Sequence, residues 1–128
     1  MKRLMLFAAA AVALVLVQGC SSIQTANEMN GQKISASGSN VAHVNGSAWG
    51  LYCLSIPLMS GDTSKAGSMA WGKDTVNVNA VTAMVTEKSK SLGATSTLDL
   101  QSATSSFWIM PTFVLFIKTV EVSGNAVK

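Results

Sequence analysis

The chain has 128 residues, 48% apolar and only 12% charged, with a formal net charge of +3, two cysteines and one histidine. That length fits a single small domain. No basic cluster suggests a nucleic-acid surface, and one histidine with scattered acids offers no close set of metal ligands.

The first twenty residues are the most informative. Lys2 and Arg3 precede an unbroken apolar run, Leu4 to Val17, closed by Gln18, Gly19 and Cys20. A charged start, an apolar core and a small residue at the end form the order of a secretory signal peptide. The run is short for a bilayer span, which takes about 20 apolar residues. Val17-Gln18-Gly19-Cys20 resembles the lipobox of bacterial lipoproteins, with Val17 in the usual leucine position. The resemblance implies a cut between Gly19 and Cys20 and a diacylglyceryl group on the Cys20 thiol. Buried acyl carbons contribute about 0.8 kcal/mol each, so two or more chains hold stably where one is marginal. Ser21 follows, where an aspartate would resemble an inner-membrane retention signal. In a diderm host serine is similar to an outer-membrane address. No leader-derived charge then remains: seven lysines face six acids.

The expected organisation is a signal peptide over 1–19, a lipidated cysteine and polar tether over 20–32, and a domain over 33–128. Fully extended, the tether would reach roughly 40 Å. Lys33 to Val44 suggests a short strand pair turning at Gly38-Ser39-Asn40. Trp49 to Met59 reads as a buried strand ending near Pro57, because proline cannot continue a central ladder. Gly61 to Lys73 reads as a glycine-bearing loop, with Met69, Ala70 and Trp71 folding back onto the domain.

A helix is predicted from Thr75 or Val76 to Leu92, capped by Asp74 or Thr75. Val78, Val81, Met84, Val85 and Leu92 share one helical face, and Gly93 follows as a stop. Ala94 to Ser102 alternates as a half-buried strand, and Ala103 to Ser106 reads as a polar turn. Phe113 to Ile117 predicts a central strand, and the phase change at Lys118-Thr119 predicts a β-bulge. The sum is an α+β class: a small, mainly antiparallel sheet with one helix packed on one face.

Three kinds of chemistry follow from the residues. With Cys20 lipidated, Cys53 is the remaining thiol, expected as a small buried hydrophobe within Leu51 to Ile56. His43 with Cys53 invites a thiol-enzyme reading, but no recognised local signature surrounds Cys53. Asp62-Thr63-Ser64-Lys65 lacks the alternating acids of a calcium loop, and Gly67 and Gly72 lack the order of a phosphate loop. Trp49, Tyr52, Trp71 and Trp108 are candidate contacts for a ligand or partner, as the rim of an aromatic pocket. No catalytic residue, metal or cofactor is expected.

The helix ending Leu92-Gly93-Ala94, then Leu98-Asp99-Leu100-Gln101-Ser102 and Val120-Glu121-Val122-Ser123-Gly124 after a lipoprotein signal, resembles the small TRL-like lipoproteins. The resemblance implies an envelope lipoprotein and supplies no catalytic residue. The expectation is a non-enzymatic protein, anchored to the outer membrane through Cys20, acting by protein or envelope contacts. A small-ligand-binding periplasmic module is the alternative, and a thiol enzyme using Cys53 the third reading.

Overall fold

The computed structural model describes residues 21–28, 39–109 and 114–128. The Leu4–Val17 run, Gly19 and Cys20, the expected strand before Gly38, and Pro111 lie outside the described residues. Six strands and one helix follow in order: β1 (Ser21–Ala26), β2 (Asn40–Cys53), β3 (Ile56–Gly61), β4 (Met69–Trp71), α1 (Val78–Ser91), β5 (Ser96–Trp108) and β6 (Leu115–Val127). They form one antiparallel sheet in the order β4-β3-β2-β6-β5, with β1 also on β2. β1 and β3 share one edge of β2, β1 against His43–Ala48 and β3 against Gly50–Cys53.

The α+β expectation is overturned. Strands take 59% of the described residues and the helix 15%, an all-β-like sheet with one helix packed on it. The physical reason lies in the polar strands. Ala103 to Ser106, expected as a turn, continues β5, and every residue of β5 from Asp99 to Trp108 is exposed. A strand solvated on both faces carries no apolar alternation by which to recognise it.

The start of the domain differs for the same reason. Ser21–Ala26, expected as tether, is strand β1 and pairs with β2 along its whole length. β2 begins at Asn40, at the end of the expected turn, but it does not stop at Val44; it runs unbroken to Cys53 and reverses through Leu54-Ser55. Pro57 then lies inside β3, beside a register shift at Leu51/Tyr52. β4 pairs only with Met59 to Gly61, so no ladder bond on that side needs the missing proline N–H.

Helix α1 is shorter than expected and starts on a different cap. The Asn77 side chain accepts from the Ala80 N–H at 2.9 Å, which satisfies one orphan donor of the first turn. Val81, Met84, Val85 and Ser89 are its buried residues, while Val78 and Leu92, expected on the same face, are exposed at the two ends. Gly93 takes a φ of +86°, the left-handed conformation that ends a helix. Beneath the helix lie Val44, Ala48, Tyr52, Val120, Val122 and Ala126. The helix approaches most closely at Gly46, where an added Cβ would sit 2.7 Å from Val85 Cγ2 and 2.9 Å from Met84 Cε.

Strand β6 pairs with β2 from Leu115 to Val127 with no register shift at Lys118-Thr119. The expected bulge there is absent. The shift lies in β5, between Leu98 and Gln101, where Asp99 has a φ of +52°.

Candidate functional site

Residues paired across neighbouring strands point to the same face of a sheet. One face carries the helix and the core. On the far face, the pairings Trp71 with Met59, Met59 with Leu51, Leu51 with Ile117, and Ile117 with Phe107 place five apolar residues in one row across five strands. The neighbouring rung adds Ile56, Cys53 and Leu115. The opposite half of this face is polar, with Ser47 beside Glu121 and Asn45 beside Ser123. The far face is thus divided, apolar toward the β2–β3 turn and polar toward the start of β2.

This division explains the missing bulge. Phe116 lies on the helix face and Ile117 on the far face, so β6 is apolar on both sides at its start. Farther on, Val120 and Val122 are buried while Glu121 is exposed. The apparent change of phase is a change of environment along one regular strand.

The apolar end is also the exposed end. Trp71 is 70% exposed and Ile56 65%, and Leu54, Leu58, Phe107, Trp108 and Val114 are exposed there too. Met69–Trp71 does fold back, as strand β4 on β3 rather than as part of a loop, but the Trp71 side chain stays in the open. Leu54 holds a φ of +54° in the turn, and its N–H donates to the Val114 carbonyl at 2.7 Å. A bulky residue rarely takes that conformation.

The four aromatic residues expected to rim one pocket are divided by the sheet. Trp49 and Trp71 fall on the far face, Tyr52 and Trp108 on the helix face. Tyr52 is buried and stacks on Phe116 with ring centroids 5.3 Å apart, and Trp108 lies tilted against the same Phe116 ring, also at 5.3 Å. The Tyr52 hydroxyl donates to Asp74 Oδ1 at 2.6 Å. Burial first, then the Asp74 carboxylate, holds the phenol well above its ordinary pKa. Asp74 is therefore the acceptor for a core tyrosine rather than the helix cap.

Two surface hollows are of about 140 and 180 Å³, smaller than the roughly 300 Å³ at which drug-sized pockets begin. The first is lined by polar residues of the far face, including Asn45, Gln101 and Glu121.

His43 and Cys53 stand at opposite ends of β2, ten residues apart. At about 3.3 Å per residue they are some 33 Å from each other, beyond any shared proton transfer. His43 Nδ1 instead lies 2.8 Å from Asn125 Oδ1, and Asn125 Nδ2 donates to Asp99 Oδ2 at 3.0 Å. This chain of bonds ties β2 to β6 and the β5 bulge. Cys53, expected to be buried, is a half-buried free thiol on the apolar far face. Among the described residues, no group of three or more His, Cys, Asp or Glu gathers to hold a metal, and no helix is long and apolar enough to cross a membrane.

The remaining feature is the join at Ser21, which is 3% exposed. Its hydroxyl donates to the Asp62 carbonyl at 2.8 Å, and its own carbonyl accepts from the Gly67 N–H at 2.9 Å. The loop that receives it is internally braced. Asp62 accepts from both the hydroxyl and the N–H of Ser64, which lowers its pKa, and Gly67 turns at a φ of +87°.

Sequence reasoning missed both the apolar row and the Ser21 join. The row takes one residue from each of five strands, so no window of sequence contains it. An apolar residue out of phase in two central strands, Leu51 and Ile117, is its only sequence trace. Comparison with family models, curated proteins and solved structures finds no match to this chain.

Proposed function

We propose that this chain is a lipid-anchored envelope protein, carried on the outer membrane of a diderm host, whose sheet domain acts without catalysis through protein or envelope contacts. The observation that carries this reading is the lipobox-like Val17-Gln18-Gly19-Cys20 standing immediately before strand β1. A cut before Cys20 removes the whole apolar leader and leaves every described strand intact. The separation of His43 from Cys53 supports the non-enzymatic part.

Palmitate labelling of the full chain tests the anchor. Incorporation that is lost in Cys20→Ala, with that variant released from membranes, is the expected result. An unlabelled wild-type chain found free of membranes overturns the reading.

A further inference from the structure

We infer that the apolar end of the sheet is a second membrane contact, seated in the headgroup region of the bilayer that holds the anchor; this rests on the lipid-anchor reading above. Three observations converge on it. The first is direction. β1 runs antiparallel to β2, so followed backward from Ala26 to Ser21 it climbs from His43 to Ala48, toward the apolar end. Cys20 is one residue farther, a Cα step of about 3.8 Å. Ser21 is held in the sheet, so acyl chains on Cys20 enter the bilayer beside this end.

The second observation is composition. Leu54, Ile56, Leu58, Trp71 and Phe107 are exposed large apolar residues at this one end. A large exposed apolar patch marks an interaction surface, and tryptophan favours the membrane–water boundary, where one side of its ring is apolar and the other wet. The third is charge. From Trp49 to Met59 there is no charged residue, nor from Gln101 to Ile109. Lys118 pairs with Gly50 and Ser106 and so lies on the helix face, away from this surface, and Asp74 is engaged by the Tyr52 hydroxyl. An apolar surface without carboxylates neither repels anionic headgroups nor carries a charge that must be desolvated on contact.

An interfacial position therefore orients the domain, with the apolar rungs at the bilayer and the polar half of the far face away from it. It also gives a place to the strained Leu54 turn, which holds an apolar side chain at the tip of the hairpin.

The test is depth-sensitive quenching of the full, lipidated chain, in vesicles of phosphatidylethanolamine and phosphatidylglycerol whose acyl chains carry bromine. Trp71 is one of three tryptophans, so brominated lipid is expected to remove about a third of the emission or more. W71F is expected to reduce that loss, leaving the share of Trp108 at the same end, while still labelling with palmitate. Ile56→Asn is expected to weaken quenching of Trp71 without releasing the protein. A chain that labels and floats with the vesicles but is not quenched overturns the inference and leaves the anchor standing. Floated copies that cross-link to one another across Trp71, unquenched, overturn it in favour of self-association. A chain that neither labels nor floats overturns the anchor, and this inference with it.

Discussion

The Ser21 hydroxyl donates to the Asp62 carbonyl at 2.8 Å, and this bond locks the first residue of β1 to the loop between β3 and β4. Removing it in Ser21→Ala is expected to lower stability by about 1 kcal/mol, the net worth of a typical internal hydrogen bond. Ser21→Asp is expected to cost more, since it presses a carboxylate against a carbonyl oxygen at a buried position. Urea unfolding of both variants checks the order; equal stabilities would show that the join carries no energy.

Gly46 is the point at which the helix meets β2. A methyl group there collides with Val85 and Met84, so Gly46→Ala is expected to destabilise the domain by about 1–3 kcal/mol. Val85→Ala in the same chain removes one collision. The double variant is then expected to lose less than the two single variants combined, as measured by a thermal-unfolding cycle.

Leu54 offers the opposite sign. An L-residue in the left-handed region carries about 1–2 kcal/mol of strain, and asparagine visits that region more readily. Leu54→Asn is expected to raise stability by about 1 kcal/mol while weakening vesicle contact. A lowered melting temperature would place the value of Leu54 in packing instead.

Tyr52 predicts an alkaline limit. Its folded pKa is raised above the ordinary value of 10.0, so the folded state keeps the proton after the unfolded chain has lost it. The contribution is fully present below pH 10 and declines as pH rises beyond it. Tyr52→Phe is expected to lose the Asp74 bond at neutral pH, about 1–2 kcal/mol. The same change flattens the decline above pH 10. Unfolding measured from pH 7 to 11 separates the two effects.

Ser60 is fully buried, donates to the Lys73 carbonyl at 2.6 Å and lies 2.7 Å from the Thr75 hydroxyl. Ser60→Ala leaves buried polar groups without this partner, and a loss of about 1–3 kcal/mol is expected. Because this cluster holds the segment leading to Asn77, hydrogen exchange in the first turn of α1 is expected to speed up.

These relationships were unequally legible in the sequence. The helix was readable because Val81, Met84 and Val85 contrast with polar neighbours at a 3.6-residue period. β2 was broken into two expected elements because Gly46 and Gly50, facing the helix and the Val76–Tyr52 contact, occupy core positions without apolar side chains. β1 and the middle of β5 were hidden by polarity on both faces. The lipobox resemblance needed only four adjacent residues, whereas the apolar row needed the register of five strands. Single residues such as Ser21 and Ser60 gave no sign, since a buried serine differs from a surface serine only in its surroundings.

The tie at Ser21 changes what a lipid on Cys20 would mean mechanically. A loose leader of a dozen residues would let the domain wander and sample partners at many heights. With the strand pinned from Ser21, a domain anchored at Cys20 would have no leash, and its height would be set by its own stiffness. β2 is 14 residues long, a rod of about 45 Å at the usual strand rise. On a lipid-anchored chain, whatever met the polar half of the far face would have to come down to that fixed level, so spacing from the bilayer would become part of what the protein selects.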